Sequence, residues 1–509
     1  MAVFVDVTDI SKTLAILGTY IIVVGLVSYL VKNRLFISES ILAVGLGIAI
    51  GPVALNWVNP HEWVDYDEER YRYLTLQITR IIIGIQVLFA GIDLPKAYLK
   101  KEWKSLATLL GPAMLSGWFV SGLLIWGLIP GLTYLESLVI ASCVTPTDPV
   151  LANAICKGRF AEEHVPPNVR NLIIAESGAN DGLGYPFLFI GLFLIRRHTE
   201  GFPDSLGWAI GHWIYETLIY QVLLAVVIGS VLGYVFRKAL RWAERKQLVD
   251  HDSFLAFGMA AAFFTLGVCG LLGTDDILAC FILGNSFSWD DWFRVETEEH
   301  AVQDVIDLLL NSSVFIYIGT ILPWSQFDKY FGIYTWRLIL LGIAIIALRR
   351  PPWVTALTRL MPALKGYGEG AFTGFFGCIG VSAVFYIQVA LENIPEERTQ
   401  LRAVIEPVVL FLVLTSVLIH GITIPLGKGF HHTLTITKTR STSSGAVLRL
   451  PQAPMELPTN PQGEDTGILA SGRSTGTKLT DRSRTNTVDL TLTFQEPVLD
   501  RGAVLRSNV

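Results

Sequence analysis

The sequence predicts an all-α polytopic membrane protein, and its composition and hydropathy pattern both lead to this fold class. Hydrophobic residues make up 51% of the 509-residue chain, and only 16% of the residues are charged. Soluble domains carry roughly 25% charged residues, so the deficit is too large for an ordinary globular protein. Long apolar segments recur along the chain, and its mean hydropathy is +0.49.

The apolar segments have the length of membrane-spanning helices. A spanning helix needs about 20 mostly apolar residues, and this criterion gives about thirteen candidate spans. They are expected near 13–31, 36–58, 77–95, 104–129, 133–156, 168–195, 208–236, 252–272, 275–288, 301–322, 332–351, 369–391 and 403–427.

An odd number of spans places the two termini on opposite sides of the membrane. With the N-terminus outside, more Lys and Arg residues fall on inner loops than on outer loops, as the positive-inside rule requires. The N-terminus lacks a basic region and a small-residue cleavage site, so no cleaved signal peptide is expected. We therefore expect a short extracellular segment at 1–12, a membrane domain at 13–427 and a cytosolic tail at 428–509.

The tail has a different composition from the membrane domain. From about 440 onward it is rich in Ser, Thr, Pro and Gly and has few aromatic residues. Such a segment cannot bury enough apolar surface to fold, so we expect it to be mostly disordered. The preceding stretch 427–439 alternates apolar and polar residues. It could lie on the membrane face, pair as a short strand, or be a structureless linker.

The fifth span contains the polar interruption TPTDP. Pro146 and Pro149 flank Thr147 and Asp148 inside an otherwise apolar segment. Each proline removes a backbone donor and clashes with the preceding turn, so the pair predicts a broken helix. Non-helical backbone at membrane depth is tolerated where it lines a cavity, and in transporters such breaks form ion sites. The alternative is a simple kink, with Asp148 capping the second half of its own span.

The sixth span, NLIIAESGANDGLGYPFLF, carries two acids. A charge near the bilayer centre costs about 2.5–3.5 kcal/mol on insertion scales, so it is usually paired or faces a cavity. Ser177 and Asp181 are four residues apart and share a helix face, and Glu176 and Asn180 form a second such pair beside them. One acid can then meet a positive partner while the other faces a cavity. The alternative is that the acids are solvated at the mouth of the helix.

Two arginines follow an apolar run in IIALRRPPWV. An arginine stays charged in proteins, so one that turns inward would be a fixed counter-ion for Glu176. Either Arg349 or Arg350 could do this. The alternative is that both extend to the lipid headgroups.

Two further acids, Asp275 and Asp276, begin the short ninth span in GTDDILACF. Acids are favourable at a helix N-terminus because they interact with the helix dipole. Capping is therefore one interpretation, and capture of cations at an entry funnel is the other.

The motif TPTDPVL, followed one span later by ESGANDG, resembles the sodium/proton antiporters of the cation/proton antiporter superfamily. The likeness extends over roughly 12–430 and is greatest to the fungal plasma-membrane alkali-cation/proton antiporters. It implies two inverted six-helix repeats joined by a linker helix near 208–236, with discontinuous fifth and twelfth spans that cross near the ion site. It also implies a homodimer, with a core domain that includes 133–195 and 332–391.

The resemblance also implies roles for individual residues. Asp181 would be the carboxylate that binds Na⁺ or a proton. Thr147, through its backbone, and Ser177 would be ion ligands, and Asp148 would be the acid of the broken helix. Asn180 stands where the electrogenic branch has a second Asp, which implies exchange of one proton for one cation.

The arginine partner of Glu176 is also implied by the family pattern. That pattern places a Val four residues after the arginine, and Val354 fits Arg350, with Arg349 as the alternative. Asp275 and Asp276 are accessory candidates that could add a titrating group.

These features together predict a secondary antiporter and not an enzyme. It would exchange cytosolic Na⁺, and also K⁺ and Li⁺, for external H⁺ across the plasma membrane, with roles in salt tolerance and pH homeostasis. Its partners would be the lipid bilayer, a second copy and cytosolic regulators of the tail, with no cofactor and no nucleic acid.

Three other functions compete with this prediction. A cation channel would need a continuous pore and filter, which titratable, arginine-paired acids do not favour. A non-transporting ion sensor on the same fold is opposed by the intact Thr147, Asp148, Asn180 and Asp181. An intramembrane aspartyl protease would need a GxGD motif, which surrounds neither Asp148 nor Asp181.

Overall fold

The computed structural model describes residues 9–28, 38–149, 151, 165–197, 203–297 and 302–441, and from 424 onward it describes the backbone alone. The chain divides into two compact units, 1–443 and 444–509. All described residues belong to the first unit. The predicted disorder of the tail beyond 441 lies outside the described residues.

The described residues form helices and contain no strand, apart from one isolated bridge between Tyr330 and Ile333. The helices are α1 (Asp9–Ser28), α2 (Glu39–Ile50), α3 (Glu68–Asp93), α4 (Trp103–Leu128), α5 (Tyr134–Cys143), α6 (Pro167–Asn180), α7 (Gly184–Arg196), α8 (Leu206–Arg245), α9 (His251–Leu272), α10 (Asp276–Phe287), α11 (Val302–Thr320), α12 (Thr335–Leu348), α13 (Pro351–Leu357), α14 (Tyr367–Phe375), α15 (Val381–Asn393) and α16 (Thr399–Ser441). Short helices at Tyr98–Lys101 and Trp292–Thr297 lie in connections, and α4 and α8 contain the π-helical segments Leu109–Ala113 and Trp213–Leu223.

These helices correspond to the thirteen predicted spans. Two predicted spans are each divided into two helices, namely α6 with α7 and α14 with α15, and α13 extends beyond the predicted end of the span that α12 forms. Eight helical segments of the described residues are long and apolar enough to cross a membrane, and four shorter apolar helices accompany them. The short ninth span is present as α10, only one residue shorter at each end than the sequence predicts.

Helix boundaries differ from the prediction where charged residues begin or continue a helix. α3 begins at Glu68 and not near 77, because the Asp67 side chain accepts hydrogen bonds from the backbone N–H groups of Glu69 and Arg70. A hydropathy criterion does not detect this charged first turn. α16 continues to Ser441, so the stretch 427–439 is helical and is neither a strand nor a linker.

α3 and α11 are joined by three polar contacts in antiparallel order, which we call the α3–α11 ladder. Each contact is a hydrogen bond of 2.6–2.8 Å between one side chain from each helix. The pairs are Thr75 with Tyr317, Gln86 with Asn311, and Asp93 with Gln303. Such interhelical hydrogen bonds fix the register of the two helices.

α10 packs closely between α3 and α8 because glycines lie at the contacts. A Cβ at Gly91 of α3 would lie 2.5 Å from the Phe281 carbonyl oxygen, and one at Gly229 of α8 would lie 2.5 Å from the Ala279 carbonyl oxygen. No larger residue fits at these approaches. The packing therefore holds the N-terminal turn of α10 in place, close to the acids of the sixth span.

Candidate functional site

The fifth span is broken where its two prolines predict. α5 ends at Cys143, and the chain is non-helical from 144 to 148. Thr147 and Asp148 lie in this segment and are fully buried. The polar interruption is therefore inside the protein and not at a helix mouth.

A second break, in the twelfth span, meets the first. α14 ends at Phe375, and the chain is non-helical until α15 begins at Val381. The Asp148 N–H donates to the Cys378 carbonyl at 2.9 Å, and the Asp148 carboxylate accepts from the Val381 N–H at 2.8 Å. Asp148 thus caps α15, in the twelfth span, whereas the second half of its own span, which the alternative has it cap, lies almost wholly outside the described residues. A Cβ at Gly380 would overlap the Asp148 carboxylate, so this crossing requires glycine.

A third break, which the sequence analysis did not predict, lies within the sixth span. α6 ends at Asn180, residues 181–183 form a turn, and α7 begins at Gly184. Asp181 stands in this break and is fully buried. Neither of its carboxylate oxygens accepts a hydrogen bond from the described residues. The Ser382 hydroxyl lies close to the carboxylate but without hydrogen-bond geometry.

Polar side chains of the sixth span bind the first break. The Thr147 N–H donates to Asn180 Oδ1 at 3.0 Å, and Asn180 Nδ2 donates to the Thr147 hydroxyl at 2.8 Å. The hydroxyls of Thr147 and Ser177 are 3.0 Å apart. Both the oxygen and the nitrogen of the Asn180 amide are therefore hydrogen-bonded to Thr147, so Asn180 holds the break in place. Ser177 lies one helical turn before Asp181, and the Thr147 hydroxyl contacts the Ser177 hydroxyl there.

Glu176 is paired with Arg350, the arginine that the position of Val354 favours. Two hydrogen bonds of 2.6 and 2.9 Å join the guanidinium to both carboxylate oxygens. The exposed fraction of the two side chains is only 5% and 2%. A bidentate arginine–carboxylate pair is strong and geometrically specific. Glu176 is thus neutralised inside the protein, and Arg350 does not extend to the lipid headgroups.

Known proteins are similar to this chain in sequence and in architecture. Residues 21–426 match the family described as sodium/hydrogen exchanger, transmembrane. The chain belongs to this family.

Several proteins similar in sequence to this chain come from fungi. The chain is 41% identical over 459 residues to a Na(+)/H(+) antiporter of Saccharomyces cerevisiae, covering 86% of this chain and 45% of that protein. It is 38% identical to Na(+)/H(+) antiporter 2 of Zygosaccharomyces rouxii, covering 88% of this chain and 57% of that protein. The chain thus spans about half the length of these two relatives. A Na(+)/H(+) antiporter of Schizosaccharomyces pombe is 32% identical, with 82% of this chain and 90% of that protein covered.

A solved structure shares the fold of this chain. The sodium proton antiporter MjNhaP1 of Methanocaldococcus jannaschii superimposes with a TM-score of 0.61 over 83% of this chain and 98% of its own, at 19% sequence identity. The predicted fold class, an all-helical membrane antiporter fold, is therefore confirmed.

Arg349 has a separate role, which the sequence did not reveal. Its guanidinium donates to the Val144 carbonyl of the first break and to the Gly377 carbonyl of the second. Carbonyls that follow a helix end carry the negative partial charge of the helix dipole. Arg349 therefore joins the two breaks and neutralises both helix ends, and it is not the partner of Glu176.

The acids of the ninth span lie beside the third break. Asp275 Oδ1 accepts from the Leu278 N–H at 2.9 Å, and Asp275 Oδ2 is buried with no hydrogen-bond partner among the described residues. Asp276 forms an ion pair with Arg80 of α3. A Cβ at Gly182 would lie 2.8 Å from the Leu278 backbone nitrogen, so the third break rests directly on this turn. Asp275 has the capping role that one interpretation proposed.

Proposed function

We propose that the chain is a secondary active antiporter in which Na⁺ and H⁺ compete for Asp181. The observation that carries this proposal is the fully buried Asp181 carboxylate, whose oxygens accept no hydrogen bond from the described residues. The hydroxyl oxygens of Thr147 and Ser177 lie nearby, and oxygen ligands suit hard cations. Three fungal relatives of this sequence bear the name Na(+)/H(+) antiporter.

Charge neutrality explains why the exchange would be obligatory. A carboxylate that holds either one proton or one monovalent cation is neutral, whereas an empty one carries a charge that is costly in the membrane. The site would therefore change the side to which it opens only when loaded. Alternating access of one such site gives exchange of one proton for one cation.

Two other acids near the site are already matched. Glu176 is held by Arg350, and the Asp148 carboxylate accepts from the N-terminus of α15. These contacts support a role for both acids as fixed parts of the scaffold, and they support Asp181 as the group that exchanges its ligand. A channel or a non-transporting sensor would not require a site whose charge is neutralised by the ion that it binds.

The finer assignments are part of the same proposal. We place the protein in the plasma membrane as a homodimer, with the N-terminus outside and the C-terminus in the cytosol, where regulators would bind the tail. Cytosolic Na⁺, and also K⁺ and Li⁺, would leave the cell as external protons enter, without a cofactor. The excess of basic residues on the predicted inner loops supports the orientation.

Transport by the purified protein tests the proposal. The full chain is reconstituted into liposomes that contain a pH dye, with equal K⁺ on both sides and valinomycin to hold the membrane potential at zero. Na⁺ or Li⁺ is added to wild type, to Asp181→Asn and to Asp252→Asn. Asp252 is an exposed residue in the first turn of α9 and serves as the matched control.

Proton movement is expected in wild type and Asp252→Asn and not in Asp181→Asn. Equal proton movement in Asp181→Asn and wild type would exclude Asp181 as the exchange site. A folded wild-type protein that moves Na⁺ but no protons would be a channel. One that moves neither ion would be a sensor.

A further inference from the structure

We propose that Tyr386 is a positioning residue that holds the Asp181 site in its cation-binding shape, a role that rests on the proposed antiport. Tyr386 lies in the second turn of α15 and is fully buried. Its hydroxyl donates to the Asp181 carbonyl at 2.5 Å and lies 3.2 Å from the Gly182 carbonyl. It therefore contacts the backbone of the residue that would bind the ion, and not its carboxylate.

The Asp181 carbonyl needs this donor because the helix does not supply one. In a continuous helix the Asp181 carbonyl would accept from the N–H of residue 185, and the Gly182 carbonyl from that of residue 186. The Tyr185 N–H instead donates to the Gly182 carbonyl at 3.3 Å, and Pro186 has no N–H. A buried carbonyl without a partner is unfavourable by about as much as a lost hydrogen bond. The Tyr386 hydroxyl takes the place of the missing helical donor.

The turn that contains Asp181 is enclosed on two sides. On one side a Cβ at Gly184 would lie 2.5 Å from the Tyr386 ring, so the phenol reaches the break only because residue 184 is glycine. On the other side Gly182 rests on the first turn of α10 at Leu278. The Tyr185 ring packs edge-on against Tyr386, with ring centroids 5.5 Å apart. These contacts define one position for the turn.

Tyr386 also couples the Asp181 break to the crossing of the other two breaks. It lies on α15, the helix whose N-terminus is bound by the Asp148 carboxylate. One short helix therefore contacts Asp148 at its first residue and the Asp181 backbone one turn later. The relative position of the two acids then depends on the Tyr386 hydrogen bond.

Loss of this hydrogen bond should weaken cation binding more than protonation. A bound cation needs several oxygens at fixed distances at once, whereas a proton needs only one carboxylate oxygen. In Tyr386→Phe the Asp181 carbonyl loses its donor, and the turn can shift. We expect the KM for Na⁺ to rise about tenfold, as is typical when one buried polar group loses its partner. The proton concentration that gives half-maximal transport should change by less than about twofold.

The experiment measures Na⁺-driven proton movement in proteoliposomes over a range of Na⁺ concentration and pH. Tyr185→Phe is the matched control, because its ring touches Tyr386 while its hydroxyl donates to neither carbonyl of the break among the described hydrogen bonds. The control should keep the wild-type KM. Gly184→Ala keeps every hydroxyl but displaces the Tyr386 ring, and it should reproduce the increase in KM.

Each outcome decides between the two proposals. An unchanged KM in Tyr386→Phe, with active wild type and silent Asp181→Asn, would overturn the role of Tyr386 and leave the antiport proposal standing. A silent but folded wild type would overturn the antiport proposal itself. If Tyr386→Phe is silent, hydrogen exchange is measured across 178–190. Faster exchange confined to that segment supports the positioning role, and exchange as slow as in wild type contradicts it.

Discussion

The buried pair of Glu176 and Arg350 allows a quantitative test of how charge is balanced in this fold. We consider Glu176→Gln, which removes the charge and keeps the side-chain size. At a separation of roughly 4 Å and an effective dielectric constant of about 20, two unit charges attract by about 4 kcal/mol. Breaking a buried ion pair by removing one partner destabilises proteins by about 3–5 kcal/mol, because the other charge is left unmatched. We expect Glu176→Gln to lower the free energy of unfolding by about 3–5 kcal/mol.

A double-mutant cycle separates this pairing from other effects of substitution. The free energy of unfolding is measured in detergent for wild type, Glu176→Gln, Arg350→Met and the double variant. Each single variant leaves one buried charge, whereas the double variant leaves none. The double variant should therefore be more stable than the sum of the two single losses predicts, by about 3 kcal/mol.

A half-exposed pair provides the control. Arg294 and Asp291 form an i, i+3 ion pair with exposed fractions of 29% and 26%. Arg294→Gln should lower the free energy of unfolding by less than about 1 kcal/mol. Two results would contradict a strong buried ion pair. One is that Glu176→Gln lowers the free energy of unfolding by no more than this control does. The other is that the effects of the two substitutions in the cycle add to within about 0.5 kcal/mol.

Three further substitutions test the crossing of the breaks. Gly380→Ala places a Cβ on the Asp148 carboxylate, so Na⁺-driven proton movement should fall at least tenfold, as measured in proteoliposomes. Gly182→Ala presses on Leu278 and should cause a similar loss, with a lower melting temperature. Arg349→Gln leaves two carbonyls of the breaks without their cation and should destabilise the fold by about 1–3 kcal/mol in detergent unfolding.

Matched controls exist for these three variants. Gly267 and Gly211 have no atom within 4 Å of the position of a Cβ, so Gly267→Ala and Gly211→Ala should behave as wild type in both assays. Arg349→Lys keeps the charge with fewer donors and should lie between wild type and Arg349→Gln. Wild-type transport by Gly380→Ala would contradict the close crossing, and wild-type stability of Arg349→Gln would contradict its role at the helix ends.

Local sequence signals predicted much of this architecture. The number and order of the spans followed from apolar length, since a bilayer sets the length of each helix. The first break followed from Pro146 and Pro149, because proline acts on its own neighbourhood. The partner of Glu176 followed from the family pattern around Arg350. These features depend on residues close together in the chain or on a recurring motif.

Contacts between distant segments could not be predicted in this way. The family resemblance implied that the fifth and twelfth spans cross, but it did not indicate that the Asp148 carboxylate binds the Val381 N–H across 233 positions. The break at Asp181 did carry a local signal in Gly182, Gly184 and Pro186. The apolar run that follows it concealed this signal, because a hydropathy criterion extends a span through such residues. The charged first turn of α3 was missed because the same criterion ends a span at charged residues.

The α3–α11 ladder limits which parts of the protein can slide. A slip of one helical turn, about 5.4 Å, would part all three of its hydrogen-bonded pairs together. Most of the lost partners would then face apolar surroundings, where unpaired polar groups are unfavourable. The two helices should therefore move together as one rigid unit. Under the proposed antiport, the displacement that opens the site to each side of the membrane would therefore occur across other helix contacts.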